Sequence, residues 1–178
     1  MTRVFDQEGR HIAATMVKAL PSLISQIRTS EKDGYDAVCV KALSKADKDH
    51  VRKIAEFKVN SEKEYKVGQD VSVNEFTEGD IVTVEGASKG KGFAGTIKRH
   101  GFAMGPVSHG SKNVRKPGSI GGGYPQRVVL GRKMGGRLGG NNVTVINLKV
   151  LAVNDGILLV SGAVPGPNKS IVKVYSKD

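Results

Sequence analysis

VTVINLKVLAVNDGILLVSGAVPGPNKSIVKV, residues 143–174, is the stretch that decides the fold. Val143 to Val153 and Ile157 to Val160 are apolar, β-branched runs, and Asn154-Asp155-Gly156 joins them. Asp-Gly between two such runs is the strongest short-range hairpin signal, because the turn needs residues that accept positive φ. Val164-Pro165-Gly166-Pro167 reads as a turn, and Ile171 to Tyr175 as a closing strand. Working outward, Ile81 to Val84 is another short apolar run. Val67 to Val73 carries β-branched residues around a Gly68-Gln69-Asp70 break. Tyr35 to Val40 alternates, with Ala37 and Cys39 on one face and Val38 and Val40 on the other. Many short strands with turn signals predict a small antiparallel barrel or sandwich. Leu20, Leu23, Ile24 and Ile27 have helical spacing, yet Pro21 and the β-branched content allow a strand. Ser44 to Phe57 is the best helix candidate, with Ser44 as cap and Val51, Ile54, Ala55 and Lys58 at helical spacing.

The whole chain has 178 residues, enough for one domain with an appendage. Hydrophobic residues are 38%, which supports one modest core and excludes a disordered acidic or collagen-like chain. A single cysteine, Cys39, excludes an internal disulfide and any Cys-rich zinc site. Its place in a strand pattern suits a small core residue better than a nucleophile. No apolar run approaches the roughly 18 residues of a membrane span. The opening MTRVFDQEGR has no signal-like apolar core, so a soluble, reducing, cytoplasmic setting is expected.

Charge is distributed very unevenly. The net charge is +11, yet residues 1–80 hold 13 Lys/Arg against 14 Asp/Glu. Residues 86–154 hold 12 Lys/Arg and no acid, where the chain's average would supply roughly 6–7 acids. Ordinary solvated surfaces intersperse both signs. A carboxylate facing a phosphate repels it, so a polyanion lying against this stretch explains why acids are missing. Residues 86–140 also contain 16 of the 23 glycines and only three aromatics, Phe93, Phe102 and Tyr124. Such a segment buries little apolar surface and is expected to gain order from a partner that supplies negative charge. A structureless stretch this long between strands is usually functional or disordered.

Its basic residues form two clusters: Lys89, Lys91, Lys98, Arg99 and His100, then Lys112, Arg115, Lys116, Arg127, Arg132, Lys133 and Arg137. Arg can fork onto phosphate or stack on a base, whereas Lys acts as a point charge. If roughly 6–10 of them touch phosphates, affinity falls roughly 10³–10⁵-fold between about 50 and 200 mM salt. His100 and His109 can stack on bases or donate to phosphates. They lack a neighbouring Cys or carboxylate, so no metal site is expected. Gly90-Lys91-Gly92-Phe93-Ala94-Gly95 matches the dinucleotide-binding glycine pattern. It has no acid about 20 residues on, and Gly101, Gly105 and Pro106 stop any helix early. Gly86 to Gly92 resembles a phosphate loop but is one residue short, with Gly92 where Ser or Thr should hold magnesium. No carboxylate pair exists in the window for acid–base work. No enzyme activity, cofactor or small-molecule substrate is expected.

These residues carry a family resemblance. GASKGKGFAGTIKRHGF at 86–102 and HGSKNVRKPGSIGGGYPQRVVLGRKMGGRLGG at 109–140 closely resemble the bacterial large-subunit ribosomal protein L-three family. So do the 143–174 stretch, MTRVF at the start and DGYDAVCV at 33–40, so the likeness covers nearly the whole chain. It implies a mainly β fold, a six-stranded Greek-key barrel of the translation-protein type with one short helix. Residues 1–85 and 143–178 would form the barrel, with the helix near 44–57. Residues 86–142 would form a long, irregular Gly/Lys/Arg-rich extension that penetrates large-subunit rRNA. The likeness implies binding near the 3′ end of that rRNA, early in subunit assembly, beside neighbouring ribosomal proteins. It places a loop tip near the peptidyl transferase centre, here Pro117, Gly118, Ser119, Ile120, Gly121, Gly122, Gly123, Tyr124, Pro125 and Gln126. It also favours a strand over a helix at Leu23 to Ile27.

There are departures. The chain opens at Met1-Thr2-Arg3, without the apolar and basic run that usually precedes this motif. That implies either a barrel lacking its first strand, with an open sheet edge, or a start further upstream. The 44–64 segment is shorter than the usual insert. The turn at 121–126 is one residue short, so Gln126 does not align with the glutamine that some members methylate. Two functions are weighed: a structural rRNA-binding protein without catalysis, and a free-standing nucleic-acid chaperone or RNA-acting enzyme using the same basic loop. One-to-one co-sedimentation with large subunits, and absence of nucleotide turnover, would separate them.

Overall fold

A computed structural model describes residues 1–5, 8–44, 50–59 and 65–176. Two units emerge: Met1–Gly86 with Val143–Asp178, and Ala87–Asn142.

The first unit is built of antiparallel strands. Strands β1 (Thr2–Phe5), β2 (His11–Lys18), β3 (Ser22–Arg28), β4 (Ala37–Leu43), β5 (Val51–Lys58) and β6 (Ile81–Ala87) precede the second unit. A one-turn helix α1 (Ser30–Asp33) separates β3 from β4. The second unit contributes β7 (Phe93–Ala94), the single-turn helix α2 (Thr96–His100) and β8 (Gly136–Arg137). Strands β9 (Asn142–Asn154), β10 (Ile157–Ser161) and β11 (Lys173–Ser176) complete the chain. The six-stranded sheet has the order β1-β2-β10-β9-β6-β11, and β3-β4-β5 form a separate sheet. The Asp-Gly hairpin forms as its sequence dictates: Ile157 pairs with Asn154, while Asp155 (φ 41°) and Gly156 (φ 75°) make the turn.

Alternation along β6, β9 and β10 turns one set of valine and leucine side chains inward. Val82, Val84, Leu148, Val150, Leu158 and Val160 form a buried cluster, with Phe76, Val153 and Val174 packed on it. At 25 cal/mol per Å² of apolar surface, roughly, this burial is the main force holding the sheet. In the smaller sheet Ala37, Val38 and Cys39 are buried in succession, so both faces of β4 are covered at that end. Cys39 is the small core residue that its strand pattern predicts. Phe57 of β5 meets Tyr175 of β11 edge to face, with centroids 6.4 Å apart.

Three sequence expectations change or sharpen. The helix expected near 44–57 is not one over its described part. Residues 51–58 are β5, with Val40 paired to Ala55 and Val38 to Phe57. Helical spacing there is a coincidence of Val51 and Ile54, both exposed. The period-two pair Ala55 and Phe57 carries the packing, and β4 supplies the backbone partners. Ser44 donates its N–H to the His50 carbonyl (2.9 Å) across the β4–β5 connection and does not cap a helix. Residues 45–49 lie outside the described residues. The strand expected at Val67 to Val73 is also absent. Gly68 (φ 88°) turns the chain, Asp70 makes one bridge to Leu23, and Ser72 caps a single 3-10 turn over Val73–Glu75. Leu23 to Ile27, ambiguous by spacing, lies within β3.

Candidate nucleic-acid interface

Ala87–Asn142 is organised from its base outward. Ser88 donates to the Asn141 carbonyl (2.9 Å) and accepts from Gly140 N–H (3.2 Å). Lys91 donates to Leu138 (2.8 Å), Leu138 to Gly92 (2.9 Å), and β7 pairs with β8. These bonds make a narrow ribbon almost without apolar burial. Glycine is required where the arms touch: a Cβ on Gly139, whose φ is 78°, would run into the Lys89 carbonyl oxygen.

Helix α2 follows the ribbon and ends at Gly101, whose φ of 70° lets its N–H reach the Ile97 carbonyl. Lys98, Arg99 and His100 fill its last turn, where the helix dipole favours cations. Arg99 Nη1 and His100 Nε2 both approach the Met134 carbonyl oxygen at 2.9 Å. A carbonyl only accepts, so His100 carries its proton on Nε2. These two side chains, expected to face a polyanion, also hold the outgoing and returning arms together.

From Gly101 to Gly135 there is neither helix nor strand. Turns do the ordering instead. Gly105 donates to Val114 (3.0 Å), and Arg115 Nη1 lies 3.8 Å from Met104 Sδ. Ser119, expected at the tip, donates from Oγ to Gly121 O (2.8 Å) and accepts from Arg132 Nη2 at its own carbonyl (2.8 Å). Two residues predicted for separate roles are thereby brought together. Lys112 and Lys116 flank a shallow cavity of about 520 Å³, lined also by Asn113, Pro117 and Gly118. All of the predicted basic residues are exposed except His100, which is half-buried, and of residues 117–126 only Pro125 is half-buried.

Electrostatics separates this unit from the other. The described ion pairs, Arg10–Glu8, Arg28–Asp33, Arg28–Glu56 and Lys173–Glu85, all join residues of the first unit. Within 87–142 there is no acid to pair with. Among the described residues no cluster of His, Cys, Asp or Glu could hold a metal ion. No described helix is long and apolar enough to cross a membrane.

Sequence reasoning centred the tip on 117–126 and passed over Val128, Val129 and Leu130. All three are exposed, Leu130 to 96%. The available signal was a run of three branched aliphatic residues in a segment rich in glycine and cations.

The family model described as Ribosomal protein L3 matches residues 48–157. A large ribosomal subunit protein uL3 of Heliobacterium modesticaldum is 45% identical over 193 residues, covering 99% of this chain and 92% of that protein. A uL3 of a Geobacillus species is 44% identical, with 99% and 92% covered. The uL3c of Phaeodactylum tricornutum is 40% identical, with 98% and 93% covered. With a family match over most of its length and relatives of this identity across nearly all of it, the chain belongs to the ribosomal protein L3 family, whose members are structural ribosomal proteins and not enzymes.

Proposed function

We infer that this chain is a structural constituent of the large ribosomal subunit that binds its rRNA near the 3′ end, early in assembly. The strands of the first unit act as a Greek-key barrel of the translation-protein type and dock beside neighbouring ribosomal proteins. The acid-free unit is the rRNA-penetrating extension. Its tip, Pro117 to Gln126, points toward the peptidyl transferase centre. The observation that carries this reading is a 56-residue unit with exposed cations throughout and no carboxylate of its own. Exposed, unneutralised lysines and arginines repel one another, and phosphates relieve that repulsion while releasing counterions. Lys112 and Lys116 beside their shallow cavity are suited to two phosphates of one RNA strand.

The test is salt-dependent binding to a 3′-region fragment of large-subunit rRNA, against an unrelated RNA of equal length. The intact chain is expected to prefer the rRNA fragment. Reversing Lys112, Lys116 and Lys133 to Glu is expected to abolish that preference and block incorporation into subunits while the β unit stays folded. Normal incorporation of the triple variant would overturn the assignment.

A further inference from the structure

The geometry points to Leu130 as an apolar wedge that inserts against unstacked nucleobases, with Arg132 as the brace that aims it. This rests on the rRNA-binding reading and names the chemistry of one contact within it. Leu130 occupies the corner of a β-turn. Arg132 N–H donates to the Val129 carbonyl at 3.2 Å, and Gly131, with φ 81°, takes the left-handed position that such a turn needs. The same Arg132 reaches back with Nη2 to the Ser119 carbonyl at 2.8 Å, tying the turn to the opposite arm. Leu130 is thus the presented residue of a turn closed by its own backbone bond and anchored through Arg132, yet 96% of its surface is open to water.

An exposed leucine alone is ordinary. This one is flanked by Arg127 and Lys133, inside a unit with no acid, and Val129 beside it is 51% exposed. A protein partner would ask for a broad apolar face, whereas this site offers one fully open leucine with two half-open valines before it. Cations on both sides fix phosphates, and the side chain between them meets what lies between phosphates, the bases. Apolar wedges that enter base steps work in this way. Arg132, already bonded to two carbonyls through its side chain and backbone, acts here as a positioning residue before it acts as a phosphate contact.

The full-length chain, Leu130→Ser, Leu130→Phe, Arg127→Gln and Arg132→Lys would be titrated with the 3′-region rRNA fragment across a salt series. The wedge contributes burial and no charge. Leu130→Ser is therefore expected to weaken binding roughly tenfold or more with an unchanged slope of log K against log salt. Arg127→Gln should flatten that slope by about one. Leu130→Phe should bind as well as the parent, since a ring can also stack. Arg132→Lys keeps the charge and loses the forked reach, so it should reproduce the Leu130→Ser loss with the parent slope. Parental affinity for Leu130→Ser, or a changed slope, would overturn the wedge while leaving rRNA binding intact. No rRNA preference in the parent would instead overturn the reading on which it rests.

Discussion

The two units of this chain are held together by different physics. The first buries valines and leucines between paired strands and ties its surface with ion pairs such as Arg28–Glu56 at 3.0 Å. The second closes its base with backbone bonds between glycine-rich arms and sends its cations outward. Burial is non-directional and tolerates many apolar sequences, whereas arms in backbone contact demand particular glycines. The sheet unit should therefore fail globally when damaged, and the glycine-rich unit locally.

The largest effect should come from the core. Leu158→Ala removes a side chain 2% exposed and is expected to cost about 2–5 kcal/mol, read as a lower urea midpoint of the whole sheet unit. A loss below about 1 kcal/mol would mean that the valine cluster is not the unit's centre. Next is Gly139→Ala, which sets a Cβ against the Lys89 carbonyl at a positive φ. About 1–3 kcal/mol of strain is expected, confined to the ribbon. Amide exchange should rise at Lys91 and Leu138 while the thermal midpoint of the sheet unit holds. A smaller change should follow Lys173→Ala. Its Nζ lies 3.5 Å from Glu85 Oε2 across the β11–β6 pair, and a partly buried ion pair of this kind contributes about 0.5–1 kcal/mol.

The smallest effect is a dependence on pH. Thr77 donates its N–H (2.7 Å) and its hydroxyl (2.8 Å) to the Asp80 carboxylate, which holds that carboxyl below its usual range. A depressed folded-state value adds stability that is complete above the ordinary aspartate range, near about 4. That stability is lost as pH falls through the folded-state value. Asp80→Asn should erase this component, leaving a flatter stability profile on the acid side and little change in slope between pH 6 and 8. A parent and variant with identical acid limbs would contradict it.

What the sequence made legible divides along the same line. The β9–β10 hairpin was plain because Asp155-Gly156 states its turn chemistry locally. The acid-free window was plain because charge is a property of composition. The 51–58 strand was hidden, because its four-residue spacing mimics a helix and only pairing with β4 decides between them. The family likeness resolved Leu23 to Ile27 but not this strand. The Val67 to Val73 run misled for a similar reason, since β-branched content says nothing of the turn that Gly68 imposes. Within Ala87–Asn142 the cations were legible one by one, but not who holds whom. That Arg99 and His100 converge on Met134, or that Arg132 braces Ser119, depends on distant arms meeting. Leu130 was overlooked because apolar residues in sequence suggest burial, and only geometry shows one presented to solvent.

The strand order has a consequence for the chain as it is being made. The β3-β4-β5 sheet uses partners close in sequence and can form as soon as residue 58 is free. Strand β2 pairs with β1 on one side, but its other neighbour is β10, with Lys18 meeting Ile157. During synthesis β2 must wait with an unpaired edge until nearly the whole chain has appeared, and β6 waits longer for β11. The basic, acid-free segment emerges inside that interval. A nascent chain caught before Ile157 should therefore offer RNA a complete set of cations on a platform that is still unfinished.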